Sequence, residues 1–194
     1  MTHVEAIDKG LLENLPHNEI IRKVYLTYPT MALIGEEERQ FIIVDEISRY
    51  FKIPINNVHV VGSAKTGQSF HKNTPFAPKY SDLDIAIIDS ELFRRYSELA
   101  FMLSDGFRDQ TVFPIRSNRP TFNSYTQYIA KGIFRPDMMP VGTERADWFN
   151  FFGRLSTKHK DLFSTINAGI YFSQIYFEQK QISIINDHIS NKPI

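Results

Sequence analysis

Two aspartates, Asp82 and Asp84, stand one residue apart at the head of the apolar run Ile85-Ala86-Ile87-Ile88. No other feature of the chain limits its fold so tightly. A strand sends residues i and i+2 to the same side, so both carboxylates share a face while the run behind them is buried. Like charges that close repel unless a cation lies between them or one takes a proton. A strand that only filled a core would not place acids there. The alternative, acids capping a turn at a strand edge, ranks lower because of what precedes them. Hard oxygen ligands on a rigid strand suit Mg²⁺ (or Mn²⁺), which accepts one or two carboxylates and keeps its other positions for water and substrate phosphates. Metal ions held this way activate an attacking hydroxyl and neutralise a leaving pyrophosphate.

The partner feature is Gly62-Ser63, at the end of the strand-like run Val58-His59-Val60-Val61. Glycine lets the backbone approach a ligand closely, serine adds a hydroxyl, and a following helical turn aims free N–H groups at a phosphate. Lys65 can add a point charge. The stretch 62–81 holds Lys65, Lys72 and Lys79 with no acid, and 106–135 holds Arg108, Arg116, Arg119, Lys131 and Arg135 against Asp109 alone. Total charge balances at 22 basic and 22 acidic residues. Two basic loops in a neutral chain suggest a local anion site more than a general nucleic-acid surface. The second stretch reads equally well as a solvated basic loop.

The expected fold class is α/β (α+β): a small mixed β-sheet packed with flanking helices, in one domain over 1–194. Its parts are a helical N-terminal region 1–55, a core 56–104, an unassigned segment 105–141 and a helix-strand-helix unit 142–194. Helical spacing predicts helices over 17–27 and 37–50, the second with Phe41, Ile42, Val44, Ile47, Tyr50 and Phe51 inward and closed by Pro54. Further helices are expected over 91–103, with Ser90 as a possible cap, over 146–160, and over 172–189 with an apolar face at Phe172, Ile175, Tyr176, Ile182, Ile185 and Ile189. Strands are expected at 58–61, 83–88 and 165–171.

The residues "HVVGS" at 59–63 and "SDLDIAII" at 81–88 resemble the nucleotidyltransferase superfamily typified by DNA polymerase β. "GSAKTG", 62–67, is also similar to the Gly-Ser-x-basic-x-Gly of its minimal bacterial members, with Lys65 at the basic place. The direct match covers about thirty residues. The resemblance implies a metal-dependent transferase that moves a nucleoside monophosphate from an NTP or dNTP to a hydroxyl acceptor: an RNA or DNA end, a protein, or a growing oligonucleotide. It implies Asp82 and Asp84 as catalytic metal ligands and Gly62, Ser63 and Lys65 as phosphate contacts. It further implies toxin–antitoxin or phage-defence roles, with a partner protein from the same operon. Two departures stand out. The spacer 64–81 is 18 residues long, more than the family's usual turn. The family's third carboxylate would fall on "STINAGIYF", 164–172, which offers Asn167 and no acid, with Asp161 and Glu178 nearby. Asn167 is then the candidate neutral third metal ligand, with Asp161 and Glu178 as acids that could reach in instead, and a degenerate nucleotide-binding module acting through a partner is the alternative function.

Other motifs carry less. "GSAKTG" lacks the Gly-Lys-[Ser/Thr] of a Walker A loop, and "KTG", 65–67, has no Ser-x-x-Lys ahead of it. His59 reads as a packed strand residue, His71 as solvent-exposed, and Trp148-Phe149-Asn150-Phe151-Phe152 as helix core rather than a base-stacking platform. Asp89 and Glu91 favour the start of the following helix. The absence of cysteine excludes disulfides. No run approaches the ~20 apolar residues of a membrane span, and the N-terminus lacks a signal-peptide pattern. The chain is therefore expected to be soluble and cytoplasmic.

Overall fold

The apolar run behind Asp84 becomes the second strand of a four-stranded sheet. The structure, a computed structural model, describes residues 1–190, so 191–194 of the expected C-terminal unit lie outside the described residues. In chain order the helices are α1 (His3–Leu12), α2 (His17–Ile21), α3 (Glu37–Phe51), α4 (Gly62–Thr66), α5 (Ser90–Leu103), α6 (Phe122–Ala130), α7 (Thr143–Lys158) and α8 (Gln174–Ser190). The strands are β1 (Val58–Val61), β2 (Gln68–Ser69), β3 (Thr74–Pro75), β4 (Leu83–Ile88), β5 (Ile115–Arg116), β6 (Arg119–Pro120), β7 (Ile133–Phe134) and β8 (Ile166–Tyr171). The main sheet has the order β1-β4-β8-β7. β4 runs antiparallel to β1 and parallel to β8, and β7 closes the far edge antiparallel to β8. The chain is thus a mixed α/β protein.

Alternation along the strands divides two apolar layers. Val58, Val60, Leu83, Ile85, Ile87, Ile166 and Ile170 face one layer, where α3, α5 and α7 contribute Ile47, Phe51, Leu92, Trp148 and Phe152. Val61, Ala86, Ile133 and Tyr171 face the other, where α1, α2 and α8 contribute Ile7, Ile21, Phe177 and Ile185. Asp84 falls on the second face, with Ala86 as its next neighbour on that side. The helices cover Ala86 and stop short of Asp84, which leaves the strand heads open as a cleft.

Several local expectations change. Residues 17–27 are helical throughout, but α2 passes into a π-helical turn at Arg22–Thr27. α3 ends at Phe51 through left-handed Lys52, two residues before Pro54, and its inward face is Ile43, Ile47 and Phe51 while Phe41, Ile42 and Tyr50 are exposed. The cap of α5 is Asp89, whose carboxylate accepts from the Leu92 N–H at 2.7 Å, rather than Ser90. A carboxylate one residue earlier reaches the free N–H with better charge complementarity to the helix start. The buried side of α8 is Phe177, Glu178, Gln181 and Ile185, while Phe172, Ile175, Tyr176 and Ile189 are exposed. Polar residues turned inward shifted that face, and Glu178 is held there by partners. Glu178 accepts from Arg22 Nε at 2.7 Å and from Gln174 Nε2 at 2.7 Å. The unassigned segment 105–141 contains the β5–β6 hairpin, α6 and edge strand β7.

Ile87 is fully buried between its register partners Val58 and Ile170. Ile87→Ala should cost about 2–5 kcal/mol of unfolding free energy, measured by urea denaturation. A loss well under ~1 kcal/mol would contradict this packing.

Candidate functional site

β1 ends at Val61, opposite Asp84, and the chain turns at Gly62 with φ +67°. That left-handed backbone favours glycine. A Cβ built there would lie 2.6 Å from Asp84 Oδ2. Gly62 therefore leaves room for the carboxylate as well as allowing the turn. On the other side, parallel pairing sets Asn167 opposite Asp84, so the two side chains share a face. Asp82 lies just before β4, and its Oδ1 accepts from Ser164 Oγ at 3.1 Å and Thr165 Oγ1 at 2.8 Å. Asn167 Nδ2 donates to Thr165 Oγ1 at 2.7 Å. The hydroxyls of Ser164 and Thr165 hold Asp82, and Thr165 also engages the Asn167 amide nitrogen.

Both aspartates line a cleft of about 640 Å³ together with Gly62 and Asn167. They also line a neighbouring cavity of about 290 Å³ with Ser63, Lys72 and His71. The carboxylate pair thus stands at the boundary between two chambers. Asp84 is exposed along the cleft, yet protein crowds around its carboxyl group. Burial, and then the charge of Asp82, push its carboxyl up to about 6, with Arg135 and Lys72 pulling in the opposite direction. Burial and the Asp84 charge also raise the Tyr171 phenol above its ordinary value. Excess negative charge at one point is what a bound cation would relieve. The donor set on hand is two carboxylates and one amide oxygen, which suits a hard divalent ion.

Lys65 does not reach this site. It is 5% exposed, lines neither chamber, and donates from Nζ to the Tyr28 carbonyl at 2.5 Å. Burial pushes its ammonium down to about 8. The phosphate contact expected of Lys65 is corrected to a structural one, because α4 directs the side chain under the π-helical turn. Among the lysines of this loop it is Lys72 that lines a chamber next to the aspartates. Asp161 and Glu178 do not supply a third carboxylate either. Asp161 Oδ2 accepts from Arg39 Nη1 at 2.8 Å, Glu178 pairs with Arg22, and neither lines the cleft. Among the described residues no cluster of three or more His, Asp or Glu is arranged to hold a metal, so Asn167 would be the third donor beside the two aspartates.

The 18-residue spacer 64–81 holds the end of α4 and the β2–β3 hairpin, pinned by buried Phe70 against the His188 ring and by Lys79 N–H donating to the Leu162 carbonyl. It walls the smaller chamber. The larger one has a wall that sequence inspection did not foresee. Arg135 donates Nε and Nη2 to Asp137, both at 3.0 Å, and lies 5.1 Å from the Tyr128 ring centre. Arg116 pairs with Asp137 Oδ2 at 3.0 Å. The basic excess of 106–135 was the one available signal. Trp148, Phe151 and Phe152 are core, as expected, but Phe149 is 40% exposed and joins the cleft wall. His59 packs near Phe177 at 6.0 Å, and His71 is exposed.

No helix among the described residues is long and apolar enough to cross a membrane. Compared with known proteins, the chain matches no family model, and no curated protein or solved structure is significantly similar to it.

Gly62→Ala should lower stability by about 1–3 kcal/mol through backbone strain and the clash with Asp84, and Gly62→Ala/Asp84→Gly should recover part of it. Equal losses in both variants would argue against the close approach. The raised Asp84 pKa fixes a sign as well. Protonation is favoured in the folded state, so its stabilising contribution is full below about 3.8 and is lost as the pH rises through about 6. In EDTA, unfolding measured from pH 4 to 7 should turn increasingly against the parent relative to Asp84→Asn. A flat difference contradicts the shift.

Proposed function

We propose that the protein is a metal-dependent nucleotidyltransferase that moves a nucleoside monophosphate from an NTP or dNTP to a hydroxyl acceptor. One observation carries this reading: Asp84 is wedged against Gly62, faces Asn167 in register, and shares its cleft with Asp82. The Gly-Ser turn and the Asp-x-Asp strand head come from separate parts of the sequence, and the antiparallel pairing of β1 with β4 joins them. The likeness to the polymerase β superfamily noted in the sequence supports the same reading.

In this proposal Asp82, Asp84 and the Asn167 carbonyl oxygen hold a Mg²⁺ or Mn²⁺ ion. Bound there, the metal would supply charge neutralisation for the reacting phosphates. The protein's own residues do the rest. Ser164 and Thr165 keep Asp82 from rotating away. Ser63 and Lys72 stand in the adjoining chamber, where a hydroxyl and an ammonium suit a polyphosphate. The acceptor oxygen bonds to the α-phosphorus, the bond to the α–β bridging oxygen breaks, and pyrophosphate departs with that electron pair. The hydroxyl proton passes to water in the open cleft.

A second reading has an observation in its favour. Asn167 occupies the place of a third carboxylate and brings no charge, while Asp161 and Glu178 are committed to arginines. A nucleotide-binding regulatory module without turnover would tolerate that loss. Incubation with α-³²P-labelled NTPs and dNTPs in Mg²⁺ or Mn²⁺ separates the two. Label should move to an acceptor with the parent protein and fall by at least about a hundredfold with Asp82→Ala/Asp84→Ala. Nucleotide binding without any transfer favours the regulatory module. Asn167→Asp, which adds a charge to the ligand set, should tighten Mn²⁺ binding by about tenfold or more, read by calorimetry, and unchanged affinity would remove Asn167 from the set.

A further inference from the structure

We infer that the Asp137-clamped pair Arg116 and Arg135 seats a phosphate of the acceptor, so that the acceptor is a nucleotide or a phosphorylated nucleic-acid end rather than a protein hydroxyl. This rests on the transferase reading above. The two chambers are unlike and meet at the carboxylates. Ser63 and Lys72 line only the smaller, Arg116, Arg135 and Asp137 only the larger, and Asp82 and Asp84 line both. Displacement at phosphorus keeps the attacking and leaving oxygens roughly in line. Two substrates therefore reach the aspartates through different chambers, and each chamber carries its own cations.

The arginine pair is more than a tether for the β5–β6 hairpin. Asp137 takes a fork from Arg135 and a further bond from Arg116, so one carboxylate is shared by two guanidiniums and a positive charge is left over. Arg135 lies against Tyr128, which fixes the plane of its guanidinium. Arg116 and Arg135 keep N–H groups beyond those given to Asp137, and their side chains remain 56% and 41% exposed. Planar donors already locked in orientation are what bidentate phosphate recognition needs. The same cleft holds a second unsatisfied group. Gln181 is 1% exposed, lines the cleft, and its Oε1 finds no hydrogen-bond donor among the described residues. A base amino group or ribose hydroxyl would supply one. A protein acceptor would present neither the phosphate nor this donor in a fixed relation. About 640 Å³ of cleft lies within the range of about 300–1,000 Å³ for small-ligand sites. In the step itself the acceptor's hydroxyl oxygen bonds to the donor's α-phosphorus, pyrophosphate leaves, and the proton goes to water. The arginines touch only the acceptor's own phosphate.

The test uses the full chain in Ca²⁺ with a saturating non-hydrolysable NTP analogue. Fluorescence anisotropy compares a labelled 5′-phosphorylated dinucleotide with its 5′-hydroxyl form, with a nucleoside monophosphate and a serine- and tyrosine-containing peptide as unlabelled competitors. The phosphorylated form should bind about tenfold tighter or more, and Arg116→Gln and Arg135→Gln should each remove most of that preference while changing NTP-analogue affinity by less than about twofold. Competition by the monophosphate alone identifies a free nucleotide as acceptor, and preference for the dinucleotide identifies a nucleic-acid end. Equal binding of the two 5′ forms, tighter binding of the peptide, or variants that weaken the NTP analogue instead would overturn the inference. Absence of label transfer alongside an intact phosphate preference would overturn the acceptor role and the transferase reading together. Transfer to peptide with no phosphate preference would overturn the acceptor role alone.

Discussion

The structure is organised around two carboxylates held close together at the head of a buried strand. Their repulsion opposes folding, and the surrounding structure absorbs it. Leu83, Ile85 and Ile87 bury one face of β4 under α3, α5 and α7, which fixes where Asp82 and Asp84 must stand. Gly62 yields the space that a side chain would take from Asp84. Ser164 and Thr165 give Asp82 two hydroxyl donors. Each device keeps negative charge at a point from which the fold could have excluded it. Strain retained this way is a common mark of a functional site.

Much of this was legible in the sequence because it depends on short-range patterns. The apolar run 85–88 marked the strand, and the one-residue spacing of Asp82 and Asp84 marked their shared face. Helical spacing gave α3, α5 and α7 within a few residues. What sequence left hidden depends on tertiary partners. Lys65 looks like a phosphate contact until the Tyr28 carbonyl, 37 residues away, is found at its tip. Glu178 and Asp161 look like spare carboxylates until Arg22 and Arg39 appear beside them. The inward face of α8 could not be read from apolar residues alone, since Glu178 and Gln181 are part of it. β5, β6 and β7 have two residues each, too few to show any period.

The site that results has two sides of different character. Ser63 and Lys72 line one chamber, Arg116, Arg135 and Asp137 line the other, and the aspartates line both. Each chamber has a basic side chain in its lining, and the carboxylates proposed to bind a metal are common to both. The neutral Asn167 distinguishes this centre from a three-carboxylate one. It lowers the negative charge at the point where it would bind a divalent ion, and Asp84 is correspondingly more important. Buried Lys65 ties the segment after Gly62 to the Tyr28 carbonyl instead of reaching toward the aspartates.

The central claim is that Asp82 and Asp84 together bind one divalent ion beside the Gly62 turn. Paramagnetic broadening by substoichiometric Mn²⁺, followed in two-dimensional amide NMR spectra, tests it most directly. Signals of residues 61–63, 82–84 and 165–168 should vanish first, and their loss should be abolished in a protein lacking both carboxylates. Broadening centred on Glu178 or Asp161, or spread evenly over the surface, would contradict the account.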